Sequence, residues 1–228
     1  MSRWDLIDST PVPDGSEELL LYQRRDEFAI RVRGHGELMN SRTHGSEDAL
    51  GALPCASLSG ADDTRILVGG LGMGFTLAAA LESLPASARV DVAELVPAVV
   101  RWNRDHLGHC AGHPLRDPRV AVHERDVADM IGAANDHYDA ILLDVDNGPE
   151  GLTQVGNHRL YSLTGLMRTW CALRPKGVLA VWSAGPDRPF TARLVKSGFG
   201  VEERWVRAHG NKGSRHLIWL AAKRSEFG

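Results

Sequence analysis

Glu94, Asp126 and Asp144 each follow a short apolar run, and a fourth such run leads into Val68-Gly69-Gly70-Leu71-Gly72-Met73-Gly74. Glycines in this setting let the backbone pass close to a ligand, and the helix start behind them offers free N–H groups and partial positive charge. A tight turn that binds nothing is the plain alternative. Glu94 comes about 20 residues after the glycines, the spacing at which a carboxylate takes both ribose hydroxyls of a nucleoside. Any one of the three carboxylates could be a helix N-cap or a solvated group. Three in succession at strand ends mark the edge where open α/β sheets bind ligands. Asp144 closes the apolar run Ala140–Leu143. Asp146 faces the same way if the strand stays extended, and otherwise opens the turn Asn147-Gly148-Pro149.

The elements that must position these groups alternate. We expect strands at Ile66–Val68, Arg89–Ala93, Val120–His123, Ala140–Leu143 and Val178–Trp182. Helices are expected at Phe75–Leu84, Val96–Leu107, Val127–Ala134, Leu163–Leu173 and Phe190–Ser197. This order calls for a parallel sheet covered on both faces. Val201–Arg207 and His216–Ala222, joined by Gly210-Asn211-Lys212-Gly213, form a hairpin, so the last strand runs antiparallel. Before this, Glu17 to Met39 holds two apolar stretches around Arg24-Arg25-Asp26-Glu27, and Phe28, Ile30 and Val32 alternate with Ala29, Arg31 and Arg33. That is the period of a half-buried strand in a small antiparallel unit. Asn40 to Gly51 reads as a loop before a short helix near Ala52 to Leu58. The expected division is residues 1–60 for the β unit with its linking loop and helix, and residues 61–228 for the α/β domain.

Composition narrows the classes. The chain has 228 residues, 43% hydrophobic and 24% charged, which fits a packed globular fold and excludes disordered, collagen-like and coiled-coil classes. A net charge of -3 provides no field for a phosphate backbone, so nucleic acid is not an expected partner. Three cysteines with no C-x-x-C pair point to a reducing compartment. The polar start, broken by Pro11 and Pro13, lacks the succession of a signal peptide, and no apolar run approaches the roughly 20 residues of a bilayer span. A cytoplasmic protein without a membrane partner is the expectation. His106, His109, Cys110 and His113 could hold a transition metal on one regular helical face, but Gly112 and Pro114 break that helix. We read a polar helix end and assign no metal.

From Ile66 to about Trp182 the sequence resembles the AdoMet-dependent methyltransferase superfamily with its Rossmann-like sheet, and within it the spermidine synthase (polyamine aminopropyltransferase) family. The pieces are G-G-L-G-M-G, V-A-E-L with Glu94, D-P-R-V followed by E-R-D with Asp126, and Y-D-A-I-L-L-D-V-D-N-G-P. Leu160-Tyr161-Ser162 and L-R-P-K-G-V-L-A-V follow in order. The resemblance implies that Gly69, Gly70, Gly72 and Gly74 line an AdoMet-type donor, Glu94 holds its ribose and Asp126 contacts its adenine amine. It places Asp144 at the family's catalytic aspartate, with Asp146 as a second anchor or partner base. It also leaves open homodimerisation through the small β unit. Two departures bear on the reaction. The family's loop reads G-G-G-D-G-G, with an aspartate that holds the amine of decarboxylated AdoMet, and Gly72 stands at that position. The family's acceptor segment of Glu, Asp, Tyr and His is reduced to T-H-G-S-E-D-A-L-G, which leaves Glu47 and Asp48 as uncertain counterparts.

The main expectation is a transferase of about seven mostly parallel strands that methylates a small nucleophile, an amine, with AdoMet. The alternatives are aminopropyl transfer from decarboxylated AdoMet, and a non-catalytic relative that keeps only the nucleoside pocket.

Overall fold

The computed structural model describes residues 3–13, 15, 17–58, 62–145, 157–209 and 212–224. Asp146, the Asn147-Gly148-Pro149 turn and Gly210-Asn211 lie outside the described residues. Two sheets organise the chain. The first is antiparallel and built in sequence order from β1 (Asp5–Pro11), β2 (Glu18–Arg24), β3 (Glu27–Val32) and β4 (Gly36–Asn40). Leu19 and Leu21 of β2 and Phe28, Ile30 and Val32 of β3 are buried, which drives this hairpin together. β1 was not expected from the polar Asp5, Asp8, Ser9 and Thr10. It forms because its backbone pairs with β2 from Asp5–Gln23 to Pro11–Glu18, and β-propensity is weak against such pairing. Asp8 then accepts a 2.7 Å hydrogen bond from the buried Trp102 indole, tying this strand to the larger layer.

The stretch expected to be a loop before a helix at Ala52 is helical from Gly45: α1 runs Gly45–Cys55 and ends in a 3₁₀ turn at Ala56–Leu58. The reason is Gly51. A Cβ there would lie 2.3 Å from the carbonyl oxygen of Thr76 and 2.8 Å from Ala79 Cβ. The glycine that reads as a helix breaker is what lets α1 close onto its neighbour.

The larger sheet holds seven strands: β5 (Arg65–Gly69), β6 (Arg89–Glu94), β7 (Val120–Glu124), β8 (Tyr138–Leu143), β9 (Leu173–Ser183), β10 (Phe199–His209) and β11 (Lys212–Lys223). Their spatial order is β10-β11-β9-β8-β5-β6-β7. The five strands from β9 to β7 are parallel, and β11 runs antiparallel to both β9 and β10. The connecting helices are α2 (Phe75–Ser83), α3 (Pro97–Trp102), α4 (Val127–Ala133), α5 (Asn157–Tyr161), α6 (Leu163–Ala172) and α7 (Arg188–Lys196). Alternate strand residues separate into two cores. Ile66, Val68, Ala140, Leu142, Ala180 and Ile218 face one, together with Leu21, Phe28 and Ile30 of the small sheet. Leu67, Ile141, Leu143, Leu179, Val181 and Leu217 face the other, under α6 and α7. The small sheet therefore packs into one face of the large one.

The helix expected over Val96–Leu107 is regular only to Trp102. It widens into a π-helical turn at Asn103–Leu107 and tightens to 3₁₀ at Gly108–Ala111. Asn103 accounts for the site of the widening: its amide donates to Gly72 O at 2.7 Å and to Val99 O at 2.9 Å, so the side chain bridges helix and glycine turn. The irregularity also scatters the histidine cluster. His109 packs edge-on against Phe28 with centroids 5.5 Å apart, and His113 takes a left-handed φ of 60°. Among the described residues no group of three His, Cys, Asp or Glu side chains is placed to hold a metal. No described helix is long and apolar enough to cross a membrane.

Candidate active site

The strand order reverses at β5: β6 and β7 lie to one side, β8 and β9 to the other. Ligands of such sheets bind at the carboxyl ends beside this reversal. The register shows what is brought there. Gly69 pairs with Ala93 on β6 and with Leu143 on β8. Glu94 and Asp144 therefore flank the glycine turn at the same level. Gly70 N donates to Ala93 O and Asp144 N to Gly69 O, both at 2.9 Å. Gly70 has a φ of +87° and a Cβ there would stand 2.3 Å from Asp144 O, so both conformation and space require glycine. Gly74, also left-handed, opens α2, whose N-terminus no side chain caps. One cavity joins this turn to Glu94, Asp126, Asp144 and the small sheet.

Glu94 is 7% exposed, and its two oxygens accept from Leu71 N and Val96 N, both at 2.8 Å. Burial pushes its pKa up, against four backbone N–H groups that favour the charged form. A carboxylate oxygen has two lone pairs, so each can still accept a hydroxyl. Asp126 is the N-cap of α4, accepting from Ala128 N at 2.7 Å, and its second oxygen meets Arg159 at 3.2 Å. It is both a cap and part of the cavity lining.

Asp144 is half-buried, and Thr76 Oγ1 donates to its Oδ2 at 2.8 Å. Burial, reinforced by the charge of Glu47, pushes the Asp144 pKa up to about 7, while Thr76 opposes the rise. Glu47 projects from α1 into the same cavity, and burial raises its pKa as well. Ser46 Oγ donates to it, and His44 beside it is stacked on Phe75 with centroids 3.9 Å apart and bonded to Asp48 at 2.8 Å. Two carboxylates in a confined site, one titrating near neutrality, can hold an ammonium and take a proton from it. Asp146, which the sequence places with Asp144, lies outside the described residues. Sequence reasoning left Glu47 unassigned and did not find Thr76, Met39 or Trp182, all at or beside the cavity. Thr76 was the findable one, since it falls in the first turn after the glycines.

No protein-family model matches the sequence, and no curated protein matches it. Solved structures do match in fold. A spermidine synthase in complex with the transition state analogue AdoDATO superposes with a TM-score of 0.74 at 16% identity, over 96% of this chain and 72% of that one. A probable spermidine synthase from Corynebacterium glutamicum gives 0.69 at 16% identity, over 100% and 82%. Human methyltransferase-like protein 13 in complex with SAH gives 0.55 at 22% identity, over 80% of each chain. The chain has the spermidine-synthase-like form of the Rossmann-like methyltransferase fold, small antiparallel sheet included.

Proposed function

We propose that the protein is a transferase that moves a methyl group from AdoMet to a small amine. The observation that carries this is Asp144, raised to about 7 beside Glu47, at the point where the strand order reverses next to the glycine turn. Gly70, Gly72 and the uncapped start of α2 would take the donor's backbone-facing side. Glu94 would accept its ribose hydroxyls and Asp126 its adenine amine. Gly69 and Gly74 shape the turn. Bound AdoMet would supply a methyl carbon made electrophilic by its sulfonium. The residues of the chain handle the proton: Glu47 and Asp144 draw in the ammonium, and Asp144 takes the proton that frees the nitrogen lone pair. As the N–C bond forms and the C–S bond breaks, the electron pair returns to sulfur and no acid is needed.

Aminopropyl transfer from decarboxylated AdoMet is the second reading, favoured by the fold likeness to spermidine synthases. It would use the same carboxylates. Against it stands Gly72, which offers no carboxylate to hold the amine of a donor lacking its own carboxylate. Calorimetric titration with each donor separates the two. AdoMet is expected to bind at least tenfold tighter, about 1.4 kcal/mol, and Glu94→Ala to weaken it by a similar factor. The reverse preference would establish the aminopropyl donor, and binding of neither would overturn both readings.

A further inference from the structure

The glycine turn is held from outside by one segment, the end of β6 and the helix that follows it. Gly72 has both halves of its backbone engaged. Its N–H is directed at Glu94, whose carboxylate also accepts from Leu71 N at 2.8 Å, and its carbonyl accepts from Asn103 Nδ2 at 2.7 Å. The same amide donates to Val99 O at 2.9 Å. Both partners are carbonyls, so the NH₂ end of the side chain must face them and the orientation of the amide is fixed. Asn103 is 2% exposed, so bulk water does not compete for these bonds.

The amide enters where α3 gives way to the π-helical turn at Asn103–Leu107. Single π-helical turns are rare, and those that persist are found frequently at functional sites. A Cβ on Gly74 would stand 3.3 Å from Asn103 Oδ1, so the glycine that opens α2 leaves the room in which the amide sits. Among the described residues that line the cavity Gly72 is included and Asn103 is not, so Asn103 reaches a ligand only through the turn. Building on the AdoMet reading, with the amino-acid end of the methyl donor against Gly72, we propose that Asn103 is a positioning residue for that end. It keeps the Gly72 carbonyl turned toward the helix, so the turn is already set when AdoMet arrives and less ordering is left to binding. The nucleoside end rests on Glu94 and Asp126, and Leu71 N and Val96 N hold Glu94 without help from Asn103.

The test is calorimetric titration of the whole protein with SAH and with adenosine, which has the nucleoside and lacks the amino-acid end. Asn103→Asp keeps the shape and leaves at most one proton for two carbonyls, while Asn103→Leu keeps the volume and leaves none. Each should weaken SAH about tenfold and change adenosine by less than about twofold. A second readout needs no variant to fold: exchange of the Asn103 Nδ2 hydrogens in the parent, followed by NMR, should slow when SAH is added and stay unchanged with adenosine, because a bond that favours a ligand is favoured by it in turn. No loss of SAH affinity, an equal loss for both ligands, or exchange that SAH does not slow overturns the positioning role and leaves the AdoMet reading intact. A parent that binds neither ligand overturns the AdoMet reading, and this proposal with it.

Discussion

Thr76, in the first turn of α2, donates its hydroxyl to Asp144 at 2.8 Å and so joins the helix behind the glycine turn to the end of β8. This bond stabilises the charged carboxylate and holds the Asp144 pKa below where burial and Glu47 would otherwise put it. Thr76→Val keeps the shape and removes the donor. The acid limb of the kcat profile should move to higher pH, and each unit of movement costs about tenfold in rate on that limb. Thr76→Ser should restore the profile. A purely structural Thr76 would lower kcat evenly across pH.

Glu47 acts on Asp144 in the opposite sense, since its charge raises the Asp144 pKa. Glu47→Gln should therefore shift the acid limb toward lower pH while raising KM for the amine, because one of two anionic partners of the ammonium is gone. A KM change with no shift of the limb would show that the two carboxylates do not interact during turnover.

The Gly69–Gly74 turn and the ends of β6 and β8 were legible in the sequence because fully buried parallel strands read as short apolar runs, and the turn between β5 and α2 needs glycine. The position of Glu47 was not legible. α1 carries Gly51 and an internal Pro54 and begins without a side-chain cap, so its local preferences oppose a helix, and it is set by packing on α2. Trp182 ends a strand that reads as core. Its ring lines the cavity and stacks on His216 of β11, a strand that only the folded sheet brings beside it. β1 was hidden for a related reason: pairing with β2 and the Asp8–Trp102 bond supply what its polar residues lack.

The same carboxylate sets a pH dependence of stability. Asp144 has a folded pKa of about 7 against an ordinary 3.8, so between those values the folded chain holds a proton that the unfolded chain has released. Stability from this group is present at low pH and is lost as pH rises through that window. Asp144→Asn should flatten the fall in Tm between about pH 4 and about pH 7 and melt above the parent at about pH 8. Scanning calorimetry of both proteins across that range checks it, and parallel curves would mean that Asp144 is not protonated in the folded state.

Two glycines in helices should respond oppositely to alanine. Gly51→Ala drives a methyl group into the Thr76 carbonyl at 2.3 Å and should cost about 1–3 kcal/mol. It should also lower kcat beyond the loss of folded protein, because α1 carries Glu47. Gly132 in α4 has nothing within 4 Å of its missing Cβ and a φ outside the left-handed range, so Gly132→Ala should stabilise by about 0.5–1 kcal/mol. Denaturant melts with activity normalised to folded protein distinguish the two.

The donor preference turns on Gly72. Its φ is +51°, which aspartate tolerates better than most residues, and a Cβ there would lie 2.9 Å from Met39 Cε and 3.0 Å from Met39 Sδ. That obstacle is the end of a flexible side chain, so Gly72→Asp is expected to fold, with Met39 displaced. If the amino-acid end of the donor lies against this turn, the added carboxylate repels the carboxylate of AdoMet and attracts the amine of its decarboxylated form. AdoMet affinity should fall at least tenfold and the affinity for decarboxylated AdoMet should rise, with Met39→Ala in the same chain enlarging both changes. An unchanged ratio of the two dissociation constants would move the amino-acid end of the donor away from Gly72, and with it the reason for preferring methyl over aminopropyl transfer.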